Sequence, residues 1–331
     1  MAPIRGQCVF RSMLLVAPAY PSLSIAFGRA TSAEFDVGVP VLAGEGRDDL
    51  FPTAQPAGRI GSVVGFTTDD WWLGAAAVPI TGGLEEATLE VYRDVLRATA
   101  GRHLARMWNF IPAINAATAD AARLENYRAF CRGRARAFEE RHGAGFAACV
   151  PAASAVGCDA PRLTVAFAST RVAPRHVENP GQVPAYDYPA DYGPRSPSFA
   201  RATVVPGRGD ATVFISGTAS IRGHATVAPD GLAGQLECTL ENLEGISRAC
   251  GLGPQLDRGG GAARFFKVYL RRVADQPFVA AVLAERLFVS GDRVTYLHAD
   301  ICRQPLLVEI EVSLFGVAEA ARTGGSGQQR E

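Results

Sequence analysis

The chain has 331 residues, 48% of them apolar and 20% charged, enough for two domains with cores of their own and unlike a disordered polymer. Its 33 basic and 33 acidic residues cancel, so no global field draws it to nucleic acid or to an anionic membrane. Any bound anion must be held by local groups, and these are arginines, because Lys267 is the only lysine.

The opening stretch carries two early arginines and a short apolar run, the features of a signal peptide, but Pro18 and Pro21 break the run. Ser22 to Phe27 then alternates as a first core strand would. No segment approaches the roughly 18 uninterrupted apolar residues of a membrane span. Seven cysteines make an odd number, with no CxxC and no histidines at zinc-ligand spacing. Reduced thiols, a cytoplasmic setting and no metal are therefore expected.

From Gly58 the pattern is clearer. Arg59 to Phe66 and Trp71 to Val78 read as neighbouring strands, and Glu85 to Gly101 as a helix with Leu89, Tyr92, Val95 and Leu96 on one side. Leu104 to Ile114 is strand-like, Leu124 to His142 a second helix, and Ala147 to Val156 and Arg162 to Ser169 closing strands. The second half repeats that order. Thr203 to Val205, Thr212 to Ser216 and Ala219 to Ala228 read as strands, followed by a helix from Ala233 to Gly251. A strand from Phe265 to Arg272, a helix from Gln276 to Phe288 and further strands complete it. Two such halves predict a duplicated α/β unit, divided as 1–175 and 176–331.

Between the halves, Glu178 to Ala202 holds five prolines and three tyrosines, with Arg195 and Arg201. A stiff spacer and a loop folded over a site both fit the prolines. The aromatics and arginines favour the loop, since a solvated spacer has no use for them. The tail 323–331 reads as disordered.

The stretch Asp292 to Leu314 concentrates the chemistry. Val308, Ile310 and Val312 share one parity and Glu309 and Glu311 the other, so an apolar face is backed by a carboxylate face. Cys302 and Arg303 lie just upstream, before Pro305, which marks a break or an edge. An outer strand with solvated glutamates and a strand presenting an acid to a site are both open at this point. Lys267, Tyr269 and Arg271 share parity on their strand and could add cations to the same face or simply be solvated.

There is no GxGxxG after a strand, no P-loop, no nucleophile elbow and no HExxH, so nothing indicates a nucleotide, a haem or a hydrolytic zinc. Arginines, tyrosines and one carboxylic acid suit a small polyanionic substrate and proton transfer.

The segments RFFKVYLRR, HADICRQPLLVEIE, FISGTASIRGH, YGPRSPSFARA, RMWNFIPAINAATAD and ENYRAFCRGRA resemble the chorismatase family over nearly the whole chain from Gly58. That family is in turn similar to the small imine deaminases of the RidA/YjgF type. The resemblance implies two fused RidA/YjgF-like (chorismate-mutase-like) α/β units, each a mixed sheet against two helices, with the site beside the C-terminal unit. Gly193 to Ser196, Ile215 to Gly217, Arg303 and Glu309 stand where the deaminases form their ligand site. Arg195 replaces the deaminase tyrosine, which suits a second substrate carboxylate and disfavours a plain deaminase.

The implied substrate is chorismate, with no cofactor. Glu309 matches the family's catalytic glutamate and would protonate the vinyl ether. Arg195, Arg201 and Arg303 are candidate carboxylate clamps, with Tyr192, Lys267 and Tyr269 as further contacts. Hydrolytic members resemble one another in having alanine at the places of Gly217 and Cys302, whereas those with glycine and cysteine make 3-hydroxybenzoate and pyruvate. This chain falls with the latter. Gly217 would make room for the ring, and Cys302 would assist proton transfer. A hydrolytic chorismatase, an imine deaminase and a non-catalytic binder of aromatic carboxylates are the alternatives. Oligomeric state stays open in the sequence: fusion of two units could satisfy within one chain the interface that the deaminases form between subunits, which is compatible with a monomer.

Overall fold

The computed structural model describes residues 35–48, 51, 54–118, 123–227 and 231–318, together with the backbone of a short strand at Ile25–Ala26. The rest of the first core strand expected at Ser22 to Phe27, and the tail 323–331, lie outside the described residues. Strand β1 is Val41–Ala43. A first half follows with β2 (Gln55–Ile60), β3 (Val63–Thr67), β4 (Trp71–Pro79), α1 (Leu84–Ala98), β5 (His103–Pro112), α2 (Asn126–His142), β6 (Ala152–Cys158) and β7 (Arg162–Thr170). The second half has β8 (Arg175–Val177), β9 (Ala202–Pro206), β10 (Asp210–Ala219), α3 (Leu232–Ala249), β11 (Ala263–Leu270), α4 (Gln276–Arg286), β12 (Arg293–His298) and β13 (Val308–Ala318).

The two sheets run in one order, β2-β3-β4-β7-β5-β6 and β8-β9-β10-β13-β11-β12, with β1 added at the far edge of the second. Each contains one parallel pair, β5 with β6 and β11 with β12, joined by a helix as a parallel crossover requires. Everything else in them is antiparallel. The mixed α/β class expected from the sequence is the one observed. The contribution of β1 to the second sheet is not visible in any local pattern.

Alternating parity decides what each sheet face meets. Leu104, Met107 and Ile111 turn towards α1 and α2, while Trp108 and Phe110 turn towards the other sheet. On β13, Val308, Ile310, Val312 and Leu314 pack against α3 and α4. The sheets thus face each other through an apolar layer that includes Phe66, Leu73, Trp108, Phe214 and Leu297, with the helices outside. Among the described residues, no helix is long and apolar enough to cross a membrane.

Three predicted strands differ in extent. Arg59 to Phe66 is split into a hairpin at Gly61, whose φ of 58° closes the turn while Ser62 N–H donates to Asp94 at 2.7 Å. Ala219 to Ala228 is likewise broken at Gly223 (φ 55°) into the small hairpin Ile221–Arg222 and Ala225–Thr226. Residues 143–149 form a 3-10 turn, so the strand expected from Ala147 begins only at Ala152, after Pro151.

Candidate active site

Strand β13 is central in its sheet, between β10 and β11, and both its glutamates are buried. An outer strand with solvated carboxylates is excluded. Glu311 accepts from Lys267 Nζ (2.6 Å), Arg106 Nη2 (2.7 Å), Trp108 Nε1 (3.0 Å) and Tyr269 OH (3.2 Å). Burial alone would raise its pKa, but Lys267 and Arg106 outweigh burial and hold the carboxyl down to about 2. Lys267 also pairs with Asp48. Among the described residues, Lys267 and Arg106 thus meet Glu311 and Asp48 in one buried cluster that does not include Glu309.

Glu309 comes from the same face of β13 but has no such cage. It is 3% exposed, and burial, reinforced by the Glu311 anion, pushes its carboxyl up to about 8 against the pull of Arg106 and Arg201. At neutral pH it holds its proton. A bulge in β10 makes room for it: Ile215 pairs with Val312 but Thr218 with Ile310, leaving Ser216 and Gly217 out of register. Gly217 N–H donates to Ser154 Oγ of the first sheet at 3.1 Å instead of to the ladder. A Cβ at position 217 would overlap Glu309 Oε1, so only glycine admits the acid in this position.

Glu309 lines a narrow cavity together with Gly217, Cys302, Arg303, Tyr127 and Arg128, roofed by Tyr188, Tyr192, Pro197, Phe199 and Arg201 of the 178–202 segment. That segment thus supplies five of the lining residues and contains two short 3-10 turns. Arg201 donates to Tyr188 OH (2.6 Å) and Val183 O (3.2 Å) and stacks on the Phe199 ring at 5.0 Å. Arg303 lies 4.0 Å from the Tyr192 ring centre and donates to His224 O (2.8 Å) and Thr226 Oγ1 (3.2 Å). Among the described residues Arg303 has no carboxylate partner, which leaves its charge available to an anion in the cavity. Burial first, then the neighbouring Glu309, pushes the Cys302 thiol up to about 12, so it is protonated at any physiological pH.

A protonated acid, a thiol and several guanidiniums thus surround one cavity. The family model described as chorismatase FkbO/Hyg5-like, N-terminal, matches residues 51–169. A 3-hydroxybenzoate synthase of Streptomyces hygroscopicus is 39% identical over 259 residues, covering 73% of this chain and 73% of that protein. A chorismatase of Streptomyces rapamycinicus is 41% identical over 254 residues, covering 74% of each. The chain belongs to the chorismatase family. The crystal structure of a chorismatase covers 88% of this chain and 92% of its own, at 32% identity and a TM-score of 0.72.

In this chorismatase fold, six of the residues singled out by sequence meet at the cavity: Glu309, Cys302, Arg303, Arg201, Tyr192 and Gly217. Three do not. Arg195 is turned away from the cavity, its charge taken by an ion pair with Glu139 on α2. Lys267 and Tyr269 share the parity of Glu309 but end on Glu311, one pleat further along, and do not line the cavity. The gap left by Gly217 is filled by the Glu309 carboxyl and is not free space for a ring. Sequence reading missed Arg128, Tyr127 and Glu125, which enter from the start of α2. Their signal was the ENYR segment, which shows no chemistry until the second sheet is laid against it.

Proposed function

We propose that this chorismatase converts chorismate to 3-hydroxybenzoate and pyruvate. The observation that carries the reading is Glu309, a carboxylic acid kept protonated by burial, facing an arginine-lined cavity beside Gly217 and Cys302. Chorismate has two carboxylates, and Arg303, Arg201 and Arg128 are the cations that would hold them. Glu309 gives its proton to the terminal methylene of the enolpyruvyl group, forming a methyl and an oxocarbenium. The ring C–O bond breaks, its electron pair going to the ether oxygen, which becomes the keto oxygen of pyruvate.

The ring hydroxyl on the adjacent carbon closes onto the vacated position and returns its proton to the Glu309 carboxylate. The resulting epoxide opens as its oxygen is protonated and the ring loses a C–H proton, leaving an aromatic hydroxyacid with no net water. Cys302, protonated at neutral pH, gives that proton to the epoxide oxygen, and the thiolate so formed takes the ring C–H proton, which restores the thiol. The similarity to a 3-hydroxybenzoate synthase supports this product.

We read the chain as two units meeting near 175–176, with the site at their junction, acting as a monomer. The six described cysteines form no disulfides, which suits a cytoplasmic enzyme. Incubation with chorismate, followed by mass and ultraviolet analysis, tests the reading. An aromatic product supports it, a non-aromatic dihydrodiol moves the chain to the hydrolytic subtype, and release of ammonia from 2-aminoacrylate alone would replace it with a deaminase.

A further inference from the structure

We propose that Arg271 is a positioning residue, whose guanidinium fixes the turn that carries Cys302 and Arg303 into the cavity. The inference rests on the reading of that cavity as the place of chorismate chemistry. The link between β12 and β13 makes a single bridge, from Ile301 to Val156, before β13 starts at Val308. Backbone N–H groups reach only some of its carbonyls, Asp300 O from Gly157 (2.7 Å), Arg303 O from Leu306 (3.0 Å) and Leu307 O from Arg271 (3.1 Å), and the others need side-chain donors.

Arg271, immediately after β11, reaches Ile301 O and Leu306 O and adds a second donor at Arg303 O. Its Nε donates to Leu306 O at 2.7 Å, and Nη2 to Ile301 O (3.1 Å) and Arg303 O (3.2 Å). Nη1 pairs with Asp300. Carbonyls on both sides of Cys302 thus converge on one planar cation, at the point where the turn enters the cavity. Nη2 also donates to Asn115 Oδ1 (3.0 Å), while Asn115 Nδ2 donates to Ile301 O (3.1 Å) and Glu125 Oε1 (2.9 Å). The turn is thereby tied to the start of α2, where Tyr127 and Arg128 line the opposite wall.

The side chain is 15% exposed and does not line the cavity, so it acts through the turn and not on substrate. A guanidinium presents five N–H donors in a fixed fork, and an ammonium three on a point charge. Arg271→Lys therefore keeps the charge and removes the geometry.

The expected result for Arg271→Lys is amide exchange at least tenfold faster in residues 300–307 and unchanged in α1. KM for chorismate should rise about tenfold, and the share of 3-hydroxybenzoate should fall in favour of the dihydrodiol. A purely structural role would lower the melting temperature and leave KM and the product share of the folded enzyme alone. Exchange, KM and product share all within twofold of wild type would overturn the proposal. Should the lysine variant be recovered unfolded, Asn115→Ala decides. It removes one acceptor of the fork and one donor to the turn, and should shift the same readouts two- to fivefold; no shift overturns the proposal. A wild-type protein that fails to turn over chorismate would sink the proposed function, while the exchange measurement would still judge Arg271.

Discussion

Replacing Glu309 by glutamine tests whether the folded protein keeps this carboxyl protonated, through stability as well as rate. In the unfolded chain the group titrates near its ordinary value of 4.5, and in the folded protein at about 8. Below pH 4.5 both states hold the proton and the group favours neither. Between the two values the unfolded chain releases a proton that the folded protein retains, so folding loses stability as pH rises, and the loss is complete above about pH 8. At about 1.4 kcal/mol per pH unit, the gap corresponds to about 5 kcal/mol as an upper bound. Glutamine is neutral and nearly isosteric, and escapes this penalty. Glu309→Gln should match wild type at pH 4.5 and melt roughly 5–10 °C higher at pH 9, on the usual conversion of free energy to melting temperature. The same variant should lose at least about 100-fold in kcat, because no acid remains to protonate the methylene. In wild type, kcat/KM should decline above about pH 8 as the donor ionises. Calorimetry across pH 4.5–9, with initial rates, measures both effects. A melting difference that stays flat with pH, or that favours wild type at pH 9, would show Glu309 ionised in the fold and refute the reasoning.

Four further outcomes follow from the geometry. Gly217→Ala puts a Cβ onto Glu309 Oε1, so the acid must move; kcat should drop about tenfold or more and the dihydrodiol share should rise, read by product chromatography. Cys302→Ala removes the protonated thiol and should shift product from 3-hydroxybenzoate towards the dihydrodiol without raising KM, and an unchanged ratio would count against its role. Arg128→Ala should raise KM about 10- to 100-fold, the worth of one charge-assisted hydrogen bond, with the circular dichroism spectrum unchanged because the half-buried side chain belongs to no apolar core. Glu311→Gln leaves Arg106 without its buried carboxylate and takes one carboxylate from Lys267, which keeps Asp48, and should cost about 3–5 kcal/mol in denaturant unfolding. With the neighbouring anion gone, the alkaline limb of the wild-type pH profile should also move to lower pH; a limb that stays put would refute Glu311 as a cause of the raised acid.

Parity and helical spacing depend only on local backbone geometry, so the sequence by itself determined that Val308, Ile310 and Val312 face one way and Glu309 and Glu311 the other. It likewise determined the four helices and, through long shared segments, the family. It could not determine that two adjacent glutamates on one face have opposite fates. That depends on Arg106 and Lys267 arriving from other strands to neutralise Glu311, while Glu309, set beside the Gly217 bulge, has no ion-pair partner among the described residues. The misplacement of Arg195 has the same origin: its neighbours in sequence are cavity residues, but its charge is taken by Glu139, 56 residues earlier in the chain. Arg128 was overlooked because it reaches the cavity only when the first half packs on the second. Local patterns encode which way a side chain points, whereas the protonation state of an acid is set by the dielectric and the charges that distant segments bring to it.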